Sequence, residues 1–178
     1  MRLPKIMRVT HKWTGVFLTV FLLNLAVTGF LLLQKKQYDW LQPDTQEGAA
    51  GGVEDFITSA ELIEVVLQQG HPGFQTLADI DRIDFRPDKR IHKVRSRRSF
   101  AEIQVDAVTG QVLNVAERRS DLLENIHDGS FLAHWFHLWI MPLAALGLVF
   151  LCGSGLYLWL RPVLSRNNSQ SNHQPPSP

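Results

Sequence analysis

Two long apolar runs bracket every acidic residue of this chain. All 17 Asp and Glu lie between residues 16–33 and about 138–160, and none lies outside them. Each run reaches the ~20 apolar residues that a helix needs to cross a bilayer core. The stretch 1–12 carries only positive charge, at Arg2, Lys5, Arg8 and Lys12, and the tail carries Arg161 and Arg166 with no acid. Basic flanks resist translocation, so the pattern predicts a two-pass protein of a bacterial inner membrane. Both termini are then cytoplasmic and the middle segment periplasmic. That segment holds 12 basic and 17 acidic residues, a net charge of −5. The five Trp and two Tyr support both spans. Trp13, Tyr38 and Trp40 flank the first run, and Trp135, Trp139, Tyr157 and Trp159 flank the second, where amphipathic rings prefer the headgroup level. A cleaved signal peptide would need a shorter core and a small-x-small site. Gln34-Lys35-Lys36-Gln37-Tyr38 offers none, so the first run reads as an uncleaved anchor.

The expected organisation is an N-terminal segment 1–12, span one at 13–33, a linker at 34–57, a folded domain at 58–130, span two at 131–160 and a disordered tail at 161–178. Within the linker, Pro43-Asp-Thr-Gln-Glu-Gly-Ala-Ala-Gly-Gly52 has the composition of a flexible tether. The tail is Asn, Ser, Gln and Pro, too polar to pack. In the domain, Thr58-Ser-Ala-Glu61 forms a capping box. Leu62, Ile63, Val66 and Leu67 follow at helical spacing, and Gly70-His71-Pro72-Gly73 stops the helix. Alternation then predicts strands around 83–86, 90–96, 100–106 and 111–115. The turns between them are Pro87-Asp88-Lys89, Ser96–Ser99 and Thr109-Gly110. The fold class is therefore α+β: one helix on an antiparallel meander, flanked by two transmembrane helices. The one cysteine, Cys152, falls within span two, so no intrachain disulfide forms and the domain has no thiolate metal site.

The stretch 60–115, ending Glu102-Ile-Gln-Val-Asp106-Ala-Val-Thr-Gly110-Gln-Val-Leu113, resembles a PepSY domain. His11-Lys12-Trp13 with Gly15 and Thr28-Gly29 is similar to the first span of PepSY-associated transmembrane proteins. Ile126-His127-Asp128-Gly129, followed by a run ending Ser154-Gly155-Leu156-Tyr157-Leu158-Trp159, is similar to the family's closing span. The resemblance implies heme b chemistry, since large relatives include ferrisiderophore reductases that hold it. This chain departs from them in having two spans and one PepSY domain.

Histidines are the redox-relevant candidates. His11 lies at one mouth of the spans, and His127, His134 and His137 lie at the other. An imidazole is a common axial ligand of heme iron. His134 and His137 rank ahead of His127 as cofactor ligands, with His11 serving a second heme on the opposite side. The bland alternative for each is an interfacial ring contacting water or lipid phosphate. A core ~30 Å thick separates His11 from the others, so a single iron cannot take both. Two His three apart on one helix cannot reach opposite faces of one porphyrin, so a homodimer or a larger membrane complex is implied. Asn24 lies within span one and needs a partner, and Ala144, Ala145, Gly147, Gly153 and Gly155 make span two suited to close contact. Pro142 frees a carbonyl and kinks span two near the histidines. The basic run from Arg82 to Arg98 reads as a solvated face or as a surface for an anionic partner, a ferric siderophore among them. Nucleic acid is excluded by topology, and no catalytic triad, P-loop or paired-carboxylate site is present. Two functions follow: a heme-binding electron-transfer or ferric-reduction component, or a non-catalytic accessory subunit whose PepSY domain binds another protein.

Overall fold

Capping and alternation decide the middle of the chain. The computed structural model describes residues 3–171. Residues 1–2 and 172–178, including His173 of the expected disordered tail, lie outside the described residues. The chain divides into two units, Gly29–Asn125 and a second formed by the residues up to Thr28 with those from Ile126 onward.

In the Gly29–Asn125 unit, α2 spans Ser59–Gln68. The Thr58 hydroxyl accepts from the Glu61 amide at 3.3 Å, and the Glu61 carboxylate accepts from the Thr58 amide at 2.7 Å. The helix ends where Gly70 takes φ +63°, a left-handed value that costs glycine little. Four strands follow: β1 Ile80–Arg86, β2 Ile91–Ser96, β3 Ala101–Asp106 and β4 Val112–Glu117. They pair antiparallel in the order β1-β2-β3-β4, a plain meander. Leu62 and Val66 of α2, one turn apart, meet Phe74, Val94, Ile103 and Val105 in a fully buried core. Each such side chain contributes about 1.5–3 kcal/mol of burial. Ile80 of edge strand β1 packs against this core, whereas Ile83 and Phe85 of the same strand stay 36% and 40% exposed.

Strand β3 is buried on both faces, and its second face is polar: Glu102, Gln104 and Asp106. What covers it is the stretch 43–52. Its composition suggests a tether, but the structure lays it across the sheet as a strap. Gln104 accepts from the Gln46 amide at 2.8 Å and donates to the Asp44 carbonyl at 2.9 Å. Asp106 accepts from Ala49 at 2.8 Å, and Lys93 donates to the Thr45 hydroxyl at 2.7 Å. Small residues are required here: a Cβ on Gly48 would lie 2.3 Å from the Arg90 carbonyl oxygen.

Two carboxylates staple loops to this sheet. Burial pushes the Asp106 carboxyl up, but backbone donors from Ala49, Val108 and Thr109 outweigh it and hold it below its ordinary pKa. Burial likewise pushes Asp79 up, and the Thr76 and Gln75 donors with the Arg98 guanidinium bring it below its ordinary value. A carboxyl depressed in the folded state stabilises the fold above its unfolded pKa and loses that contribution as pH falls through the folded one. The thermal midpoint of the sheet, read by circular dichroism, is therefore expected to hold between pH 7 and 5 and to fall below about pH 4. Asp106→Asn should flatten that fall; an equally steep one in the variant would count against the staple.

The second unit contains two helices long and apolar enough to cross a membrane. These are α1, Leu3–Leu33, and the run Phe136–Pro162, with mean hydropathy 2.5 and 2.0. The latter begins as a π-helical turn, Phe136–Ile140, and continues as α4, Met141–Ser171. The helix thus passes the expected end of span two and runs on through Pro162. The π turn answers the Pro142 problem. Pro142 has no N–H for the Leu138 carbonyl, and the Met141 amide reaches back five residues to Phe136 instead. Before it, α3, Arg119–Asp128, stops at Gly129, which takes a left-handed φ of +79° and opens a turn. His127 and His134 are therefore not on one continuous helix.

The small residues of span two divide between faces. Ala144 is buried, and a Cβ on Gly147 would stand 2.6 Å from a Leu18 methyl. Gly155 faces the His11 ring, whereas Gly153 opens on empty space.

Candidate functional site

Three of the four candidate histidines are held by one repeated device. On α1, His11, Leu18 and Leu25 recur every seven residues, as do Thr14, Phe21 and Thr28, which puts them along one stripe. His11 Nδ1 lies 2.7 Å from the Ser154 hydroxyl. That hydroxyl, on a buried side chain, gives its single proton to the Phe150 carbonyl at 2.7 Å. With the hydroxyl proton on that carbonyl, Oγ is an acceptor for His11 Nδ1–H, the tautomer that leaves Nε2 with the lone pair.

At the other end, His127 Nδ1 lies 2.8 Å from the Thr28 hydroxyl, which donates to the Asn24 carbonyl at 2.6 Å. The same logic places the proton on Nδ1. Asn24 donates from Nδ2 to the Ile126 carbonyl at 3.1 Å, so its partner is the backbone beside His127. His137, in the π turn, donates from Nδ1 to the Asp128 carbonyl at 3.0 Å, with the Asp128 carboxylate 3.6 Å away. A carbonyl only accepts, so here too Nε2 is bare. Histidines that bind metals are oriented in this way, by donating their other ring nitrogen to a fixed acceptor.

His127 and His137 come from different elements and line one groove of about 400 Å³, walled by Leu25, Leu138, Met141 and Pro142. His134 does not line it and is exposed. The remaining described histidines are elsewhere: the His71 ring accepts from the Gly73 amide at 3.0 Å, and His92 stacks on Phe85 with ring centroids 4.8 Å apart. Burial holds His92 below its ordinary pKa.

Among the described residues, no three of His, Cys, Asp and Glu gather to hold a bare metal ion. A porphyrin brings four nitrogens of its own and needs only axial ligands, so one or two oriented imidazoles in an apolar groove suit it. Thr28, Asn24, Ser154 and Asp128 orient these rings. Of these, Thr28 signals itself in the sequence, as a hydroxyl at the seven-residue spacing of Thr14 and Phe21 on α1.

The arrangement of two apolar helices with a helix-and-meander insert has a counterpart among protein families: the family described as PepSY-associated TM region matches residues 8–173. The chain belongs to the PepSY-associated TM family. It is a membrane protein, and the family assignment covers both spans as well as the domain between them. No curated protein and no solved structure matches it. In this PepSY-associated protein the family-like pairs Thr28-Gly29 and Ser154-Gly155 are the ones whose hydroxyls receive the histidine protons.

Proposed function

We propose that this protein is a heme-binding electron-transfer component of a bacterial inner membrane, with the PepSY domain periplasmic and both termini cytoplasmic. The observation that carries the reading is the shared state of His11, His127 and His137. Each has its Nδ1 within 3.0 Å of a fixed oxygen, and with that nitrogen protonated Nε2 is the one presented to a ligand. His137 and His127 are the ligands of a heme b at one end of the span pair, and His11 serves a second at the other. Bound there, heme supplies one-electron chemistry. The chain's own part is to fix the rings, hold them in the correct tautomer and keep the groove dry with Leu25, Leu138 and Met141. His134, exposed and outside the groove, is available to a second copy or a partner span. The acceptor class is a ferric complex such as a ferric siderophore.

A specific observation favours the accessory-subunit reading as well. Edge strand β1 leaves Ile83 and Phe85 exposed on the domain, a surface suited to another protein.

The test is a reduced-minus-oxidised absorption spectrum of protein purified from cells supplied with ample heme. A Soret band is expected, and His137→Ala or His127→Ala should remove most of it per mole of protein. His71→Ala and His92→Ala should leave it unchanged. No band in the wild type would overturn the heme reading and leave the accessory one standing.

A further inference from the structure

The domain carries a second site, independent of whether the histidines hold a heme. Within the Gly29–Asn125 unit, a cleft of about 370 Å³ opens between the turn after α1 and the polar face of the sheet. Lys35 and Lys36 enter it from the turn, Arg86 and Lys89 from the β1–β2 hairpin, Lys93 and Arg95 from β2, and Arg118 from beyond β4. Against these seven cations the wall itself has one carboxylate, Asp88.

Carboxylates behind the wall neutralise part of this charge. Glu102 is shared by Arg118, Lys93 and Arg95 at 2.9, 3.5 and 3.9 Å. Asp84 and Asp121 also meet Arg95, while Glu124 and Glu47 meet Lys35 and Lys89. Lys36 and Arg86 have no acidic partner among the described residues, so the cleft keeps unpaired positive charge at its rim.

A separate observation points to a ligand. The buried Nε of Arg95, a donor, has no hydrogen-bond partner, and Arg95 lines this cleft. An orphaned buried donor costs about 1–3 kcal/mol, and an anion in the cleft would satisfy it. Burial, with the charges of Arg118 and Arg86, also holds the Lys93 ammonium below its ordinary pKa against the pull of Glu102. A bound anion would relieve that crowding.

We infer that this cleft binds a phosphate group. Guanidinium and ammonium groups converging on one point are the chemistry that recognises phosphate. Lys35 and Lys36 follow the last residue of α1, Leu33, by two and three positions. They lie within ~10 Å of the apolar segment's end, since a chain advances at most ~3.6 Å per residue. The phosphate at highest concentration there is a phospholipid headgroup, and Trp40 and Tyr38, exposed on the same turn, suit that level. The cleft is therefore a headgroup socket at the foot of the first span, with free phosphate the other source of the same chemistry.

The test uses the full chain in nanodiscs. One set contains phosphatidylcholine alone and another adds phosphatidylglycerol. Native mass spectrometry counts retained lipid, and the thermal midpoint is followed as inorganic phosphate is added to the phosphatidylcholine set. Retention of one phosphatidylglycerol per chain is expected. Lys36→Gln with Arg86→Gln should weaken that retention about 30-fold, from ~1 kcal/mol per cation near the surface. Neither residue is ion-paired, so the double variant should keep the wild-type circular dichroism. Lys36→Glu with Arg86→Glu provides a second, stronger reversal. A midpoint raised by inorganic phosphate, without retained phosphatidylglycerol, would support the socket with a soluble anion as its occupant. Retention by both double variants equal to wild type, or no response to either probe, would overturn the inference.

Discussion

Replacing Glu102 with Ala is expected to remove about 3–5 kcal/mol from the stability of the PepSY domain. Glu102 is buried, accepts hydrogen bonds from Arg118 Nη1 and Gln104 Nε2 at 2.9 Å each, and is ion-paired at longer range with Lys93 Nζ at 3.5 Å and Arg95 at 3.9 Å. Deleting it leaves Lys93, about 95% covered, as an uncompensated buried cation, and leaves the equally covered Arg118 with the Asp121 carboxylate alone. A small domain has about 5–15 kcal/mol in total, so a large share of the margin goes. The thermal midpoint should fall by more than 12 °C, at about 4–8 °C per kcal/mol. Glu102→Gln, which keeps an acceptor but loses the charge, should fall between. Combining Glu102→Leu with Lys93→Met should recover part of the loss, because an apolar pair of similar volume lacks the unpaired charge. A midpoint for Glu102→Ala within a few degrees of wild type would mean that water reaches the cluster.

That cluster also shows where sequence reading stops. The strands are legible because one face of each had to be apolar: Val94, Ile103 and Val105 alternate, and β2 and β3 lie within a residue of their expected bounds. The helix start is legible because the Thr58–Glu61 box is local in the chain. The burial of Glu102, Gln104 and Asp106 is not, since polar residues alternating with apolar ones normally face water. Gln104 and Asp106 are buried because 43–52 folds back over them, and Glu102 because Lys93, Arg95 and Arg118 close on it; nothing in Gly, Ala, Asp and Thr announces a strap until the acceptors on β3 are known. The same holds for the candidate site. His11, His127, His134 and His137 are visible as residues. Which two share a groove depends on Gly129 turning the chain and on Thr28 meeting a ring 99 positions away.

Gly129→Val is expected to dismantle that pairing. Its φ of +79° is one a β-branched residue resists by about 1–2 kcal/mol. The new Cβ would also stand 2.8 Å from the Phe136 ring and 2.9 Å from Met141 Cγ, and overpacking adds about 1–3 kcal/mol. Gly70, at φ +63° with nothing within 4 Å of an added Cβ, isolates the backbone contribution. Gly70→Ala should therefore shift the midpoint by only a few degrees. The valine at 129 acts between the Asp128 carbonyl and the ring it holds, His137 Nδ1, 3.0 Å apart. Moving Asp128 also moves its neighbour His127, whose Nδ1 proton is committed to Thr28. Two readouts separate local from global damage. The fluorescence of Trp135 and Trp139, within ten residues of the turn, should shift together with a loss of any heme absorbance. The strand signal in circular dichroism should remain, because the β-sheet lies wholly within residues 29–125. Full heme absorbance and unchanged fluorescence in Gly129→Val would show that the turn is not what brings His127 and His137 to one groove.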